Sequence, residues 1–192
     1  MALQVLILGP QGSGKGTQAQ RIASEYGIAH IATGDMFRSA IARRTPVGVE
    51  VEPILARGDL VPDELTIGLI RERLTEPDAL TGFILDGFPR TIAQAEALDG
   101  LLEELGRTLS VVLELRVPDE ICIERLLARA RAEGRNDDTP AVIARRIELY
   151  HQETAPLVDY YQPTGKVVVV HGERPVQEVW AEIQASLEQV AA

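Results

Sequence analysis

The stretch Gly9-Pro10-Gln11-Gly12-Ser13-Gly14-Lys15-Gly16-Thr17 decides how the rest of the chain is read. It follows the apolar run Leu3 to Leu8 and precedes a helical pattern that starts near Lys15. The order is strand, glycine-rich turn, helix N-terminus, which is the setting a phosphate-binding loop requires. Side chains in place of the glycines would block backbone N–H groups from turning inward around a phosphate. Lys15 adds a positive charge where the first helical turn already leaves N–H donors free. A strict Walker pattern has Ser or Thr directly after the lysine. Here Gly16 intervenes, and Thr17 is the first hydroxyl and a candidate metal ligand.

Composition narrows what surrounds this loop. With 192 residues, of which 45 % are hydrophobic, the chain can bury one substantial core and carry small inserted segments. The formal net charge of −10 leaves only local attraction for nucleic acid or an anionic membrane, and neither is expected as a partner. Lys15 and Lys166 are the only lysines among 19 basic residues, so the cation in the glycine-rich loop stands out against an arginine background. Arginine's planar fork suits bidentate phosphate contacts, although genome composition can produce the same bias. Cys122 is the only cysteine, which excludes a disulfide framework and a cysteine zinc site. The opening apolar run is too short for a signal peptide or a membrane span, and the expected location is cytoplasmic.

Leu3 to Leu8 reads as a buried parallel strand and Lys15 to about Tyr26 as the first helix. Ile28 to Ala32 is a second strand, ending in Thr33-Gly34-Asp35, where Thr33 or Asp35 is placed to cap a helix from Met36 to Arg44. Short helices follow from Val49 to Ala56 and from about Glu64 to Leu74, the latter with Asp63 as its expected cap. Phe83 to Leu85 is a third strand, with Asp86 at its carboxyl end, the edge where a doubly wound sheet places ligands. An acid there, beside a phosphate loop, can hold magnesium through its waters. Gly87-Phe88-Pro89-Arg90 is a turn that brings an arginine to the same edge, and a helix from Thr91 to Leu105 carries Gln94 near its start.

The second half adds a strand from Leu109 to Leu115 and a helix from Glu120 to about Ala130. A polar break runs from Ala132 to Asp138. A long helix from Pro140 to Tyr160 is expected to bend near Pro156, before a strand at Val167 to Val170 and a closing helix at Val176 to Val190. Five short apolar strands separated by helices mean an α/β sandwich with a parallel sheet.

If the polar break is a short lid, Arg129, Arg135 and Arg146 can converge on one anion. Alternatively these arginines form an exposed set paired with Glu124, Glu133, Asp137 and Glu148. His30, His151 and His171 have no metal-ligand spacing, and each reads as structural. No Ser-His-Asp or Cys-His arrangement is present. Phosphoryl transfer does not need one, because positioning and charge neutralisation carry it.

The sequence resembles the adenylate kinases along essentially its whole length. The resemblance rests on Gly9 to Thr17, Thr33-Gly34-Asp35-Met36-Phe37-Arg38, Asp59-Leu60-Val61, Leu85 to Thr91 with Gln94, Arg135 to Asp138, and Tyr150 to Pro156. The Gly-Lys-Gly-Thr form of the loop is that family's own variant.

The resemblance implies a P-loop three-layer sandwich with a five-stranded parallel sheet. Residues 1–32, 62–127 and 139–192 would form the core, 33–61 a small helical AMP-binding insertion, and 128–138 a short lid. It implies reversible transfer of a phosphoryl group from Mg·ATP to AMP by a monomeric enzyme. Gly12, Ser13, Gly14, Lys15, Gly16 and Thr17 would wrap the ATP phosphates, and the backbone at Arg174 would lie near the ATP adenine. Thr33 and Gln94 would read the adenine of AMP, with Arg38 and Arg90 on its phosphate. Asp59, Leu60, Val61, Gly87, Phe88 and Pro89 would line that pocket. Lys15, Arg90, Arg129, Arg135 and Arg146 would neutralise charge on the moving group, and Asp86 would steer the magnesium shell.

Long members of the family insert about 30 residues as a lid, some with a four-cysteine zinc site. Here five residues separate Arg129 from Arg135, so the short, zinc-free form is expected. Ala144 stands where many relatives have a further basic residue, which leaves the role of Arg145 open. A uridylate/cytidylate kinase shares the fold, but typically has Ala in place of Thr33 and Asn near Gln94. A non-catalytic nucleotide-binding protein would tolerate loss of Arg90 and the lid arginines, which this chain retains.

Overall fold

The strand β1 (Leu3–Leu8) is apolar at every position but Gln4 because both of its faces are covered. Leu6 and Leu8 enter one core with Phe83, Leu85, Leu98 and Tyr161, while Val5 and Ile7 enter a second with Ile22, Ile84, Trp180 and Ile183. Each such side chain, fully withdrawn from water, contributes about 1.5–3 kcal/mol. The structure is a computed structural model that describes residues 3–133 and 138–191. The expectations placed on Arg135 and its neighbours to Asp137 lie outside the described residues.

Around β1 the sheet adds β2 (Ala29–Ala32), β3 (Gly82–Asp86), β4 (Val111–Arg116) and β5 (Val167–His171), in the order β2-β3-β1-β4-β5. All four pairings are parallel. Helices α1 (Lys15–Tyr26), α4 (Asp63–Leu74), α5 (Ile92–Glu104), α6 (Asp119–Glu133), α8 (Pro156–Tyr161) and α9 (Val176–Ala191) surround it, giving the expected three layers. The register sets Asp86 level with Ile7 and Ala32, so the carboxyl ends of three strands arrive together. No helix among the described residues is long and apolar enough to cross a membrane.

Three local expectations change. Neither Thr33 nor Asp35 caps α2, which begins at Thr33 itself and runs to Ala42. The Thr33 hydroxyl donates to the Gly87 carbonyl at 2.9 Å, and Asp35 accepts from Arg38. Asp63 is likewise no cap: it is the first residue of α4, and its carboxylate turns toward α5. The long helix expected from Pro140 breaks before its proline. α7 (Pro140–Leu149) gives way to a π turn at Tyr150–Thr154, with the Ala155 N–H donating to the Tyr150 carbonyl at 2.8 Å. Pro156 has no N–H, and its ring would clash with the carbonyl four residues back, so the preceding turn widens.

Helices α2 and α3 (Pro46–Ala56) carry a small core of their own, built on Phe37, Val51 and Val61. Thr45 caps α3 by accepting the Gly48 N–H at 3.1 Å. The two helices approach so closely at Gly48 that a Cβ there would collide with the backbone of Ala40. Gly48→Ala is therefore expected to destabilise the chain by roughly 1–3 kcal/mol in urea titration. Gly68→Ala is the control: it lies in α4, where a Cβ meets nothing within 4 Å, and should stabilise by up to about 1 kcal/mol.

Candidate active site

The turn from β1 into α1 uses glycine where other residues are strained. Gly12 (φ 85°) and Gly14 (φ 93°) are both left-handed, and a Cβ on Gly12 would sit 2.5 Å from the Cys122 carbonyl oxygen. The same loop turns two carbonyls toward Lys15. The Lys15 ammonium donates to the carbonyls of Gly9 at 2.6 Å and Pro10 at 2.8 Å. Lys15 is half-buried as a residue. Desolvation lowers its pKa to about 8; Asp86 opposes that shift, and Arg90 and Arg129 add to it.

Asp86 faces Lys15 from the end of β3, and its Oδ2 lies 3.4 Å from His30 Nε2. Burial works to raise the Asp86 pKa, but His30, Lys15 and Arg90 outweigh it and hold the carboxyl below its ordinary value. Asp86 and Thr17 line the same cleft. Among the described residues no cluster of three or more His, Cys, Asp or Glu side chains can hold a metal by itself. A single acid beside a phosphate loop fits an ion that keeps its waters and takes other ligands from phosphates, as magnesium does.

Five arginines line this cleft: Arg38, Arg90, Arg125, Arg129 and Arg146. Arg90 follows the turn after β3, and its Nε donates to the Gly87 carbonyl at 2.8 Å. Burial, and then the charges of Arg146 and Arg38, lower its pKa from the usual arginine value, while Asp86 supports the charge. Arg129 on α6 and Arg146 on α7 share one buried acid. Asp138 accepts from Arg129 at 2.7 and 2.9 Å and from Arg146 at 2.6 Å. Arg38 on α2 extends beside Gly34 toward Asp35.

A smaller cavity adjoins the cleft and shares Gly34, Leu55, Gly87 and Arg90 with it. Thr33, Leu60, Val61 and Gln94 complete its wall, together with Phe37 and Thr66. Asp59 lines the main cleft, whereas Phe88, expected at the pocket, is buried in the core with Leu85 and lines neither cavity. The Arg174 side chain turns to Glu182 at 3.6 Å. The loop before it is tied down by Arg125, which donates to the carbonyls of Gly172 at 2.9 Å and Glu173 at 3.2 Å.

Several partners were not legible in the sequence. All three histidines face acids: His30 faces Asp86, His151 pairs with Asp119 at 2.8 Å and His171 with Glu182 at 2.9 Å. His30 and Asp86 are separated by 56 residues and meet only because β2 pairs with β3. Arg145, left open above, donates to Asp59 at 3.2 Å and to Glu148 at 2.9 Å, so it ties α7 to the segment after α3.

A parallel α/β sheet with a phosphate-type loop, one acid at the strand ends and converging arginines defines a P-loop phosphotransferase. The family model described as Adenylate kinase matches residues 7–166. An adenylate kinase from a Cyanothece species is 47 % identical over 187 residues, covering 97 % of this chain and 96 % of that protein. One from Xanthomonas campestris pv. campestris is 44 % identical over 185 residues, 96 % of this chain and 99 % of its own length. A Synechococcus adenylate kinase is 47 % identical over 186 residues, 96 % of each chain. The chain belongs to the adenylate kinase family.

Lys15 generates a pH prediction. Because its pKa is lowered to about 8, the fraction of free protein with a charged Lys15 falls as pH rises through that value. The ratio kcat/KM for MgATP reports the free protein, and is expected to decline above about pH 8. Bound phosphates favour the proton, so kcat should hold to higher pH. Steady-state profiles from pH 6 to 10 separate the two limbs.

Proposed function

We propose that this cleft carries out the adenylate kinase reaction, ATP + AMP giving two ADP and the reverse, with the loop as the ATP end and the small cavity as the AMP end. The observation that carries the reading is Arg90. It lines both the loop cleft and the small cavity, so one cation faces the space between donor and acceptor.

The roles follow from position. Backbone N–H groups of Gly12 to Thr17 wrap the donor phosphates, and Lys15 exchanges its loop carbonyls for phosphate oxygens. The backbone at Arg174 borders the ATP adenine. Thr33 and Gln94 contact the AMP base, Arg38 and Arg90 its phosphate, and Asp59 to Val61 and Gly87 to Pro89 close the pocket. Arg129 and Arg146 lie across from Arg90, fixed by Asp138, so their charge is preorganised where phosphate charge redistributes. Arg135 joins them in this reading. Magnesium entering with ATP supplies neutralisation between phosphates, and Asp86, with the Thr17 hydroxyl, would hold its hydrated shell. No side chain acts as nucleophile.

Residues 33–61 close over AMP and 128–138 over ATP, while residues 1–32, 62–127 and 139–192 stay as the core. Closure excludes water, to which the phosphoryl group would otherwise be lost. The Asp59–Arg145 pair is the hinge-side tie of the AMP segment, and Gly58 leaves no room for a Cβ beside Val142. The working form is a cytoplasmic monomer without zinc and without nucleic acid.

Three outcomes test this. ADP formation should vanish in excess EDTA and return with magnesium, and AMP should exceed CMP and UMP in kcat/KM by at least a hundredfold. Equal use of AMP and CMP would defeat the assignment of Thr33 and Gln94. Arg38→Ala should raise the KM for AMP about 10- to 100-fold with the KM for ATP unchanged, since one charge-assisted contact to a phosphate is lost. Initial-rate kinetics with each substrate varied in turn check it.

A further inference from the structure

Gln94 is buried at the wall of the small cavity, and both ends of its amide are engaged on the protein side. Its Oε1 accepts the Arg90 backbone N–H at 2.8 Å, and its Nε2 donates to Asp63 Oδ1 at 2.7 Å. Thr91 closes the arrangement: its hydroxyl lies 3.2 Å from both Asp63 oxygens and accepts the Gln94 N–H at 3.2 Å. A carboxylate can only accept and a backbone N–H can only donate, so turning the amide over would set two donors and two acceptors against each other. Asp63 is half-buried at the first turn of α4, where the helix supports negative charge.

The consequence concerns the base. With one hydrogen and one lone pair committed, the amide keeps one donor and one acceptor, in a fixed spatial order. A 6-aminopurine offers a donor at its exocyclic nitrogen and an acceptor at the adjoining ring nitrogen, which matches that order. Held in the same orientation by its ribose and phosphate, a 6-oxopurine offers an acceptor and then a donor, which matches only the overturned amide. Thr33 adds to the same polarity. Its one hydroxyl proton goes to the Gly87 carbonyl, so it presents an acceptor to the cavity.

We propose that Asp63 is a positioning residue that fixes the direction of the Gln94 amide and so makes the cavity select 6-aminopurine over 6-oxopurine nucleoside monophosphates. The inference rests on the reading of the small cavity as the base site. Asp63 touches neither substrate nor reacting atoms; it acts through Gln94.

The test uses the full chain with saturating MgATP, and AMP or inosine monophosphate as acceptor. The readout is the ratio of the two kcat/KM values. Asp63→Ala is expected to lower the AMP preference about tenfold, through the KM for AMP, with the KM for ATP unchanged. Asp63→Asn keeps an oxygen that accepts the Gln94 N–H and should hold the preference within about threefold of the unaltered chain. In a Gln94→Ala background, Asp63→Ala should move the ratio no further. The ratio is taken within one preparation, so a smaller folded fraction cancels. If Asp63→Ala does not fold, Asp63→Leu fills the same space without an acceptor and is read the same way. An unchanged ratio in Asp63→Ala, or an equal loss of activity with both acceptors, overturns the positioning role while leaving the base site standing. An unchanged ratio in Gln94→Ala overturns the base-site reading itself, and the inference with it.

Discussion

Withdrawing an ammonium group from water raises its free energy unless oxygen atoms replace the lost hydration, and the loop around Lys15 supplies them. The carbonyls of Gly9 and Pro10 point inward because Gly12 and Gly14 adopt left-handed backbone that no larger residue takes without strain. Those carbonyls do not balance the charge, and Asp86 does so from the neighbouring strand. That placement in turn needs β3 to run beside β1 with Asp86 level with Ile7. Loop, sheet register and acid are thus conditions on one another, and the two apolar cores on either face of β1 hold them in place.

The same rule organises the arginines. A protein with a net charge of −10 nevertheless gathers Lys15, Arg90, Arg129 and Arg146 on one cleft. Crowded cations repel, and the lowered pKa of Arg90 records that pressure after burial. Two acids relieve it: Asp86 supports Lys15 and Arg90, and the buried Asp138 takes Arg129 and Arg146 together. Each acid therefore also orients the cations it neutralises, which lets the site meet phosphate charge with little rearrangement.

Helices and strands were readable where periodicity and punctuation agree. The strands and the first, fifth and ninth helices fall within a few residues of the expectation, since apolar runs bounded by glycine or by Thr91 mark their ends. Expectation and structure differ where a side chain has two possible partners. Thr33, Asp35 and Asp63 all carry the chemistry of a helix cap, yet each binds a side chain or a carbonyl instead. A cap is a local bond; for Thr33 and Asp63 a distant partner takes its place, and for Asp35 the Arg38 guanidinium one turn on in the same helix. The π turn falls ahead of Pro156 because the proline disrupts the ladder in the turn before it rather than at its own position.

The sequence by itself determined the phosphate-type loop, the α/β layering, the residue types of the cleft and the family. These depend on short contiguous motifs and on apolar spacing, which the chain carries locally. Only the tertiary structure decided which acid serves which cation, that His30 lies against Asp86, and that Asp63 rather than solvent holds the amide of Gln94. Asp63 and Gln94 are separated by 31 residues and belong to different helices. Their hydrogen bond exists because α4 and α5 pack side by side over the same core, and no pattern along one dimension encodes the facing of two helices.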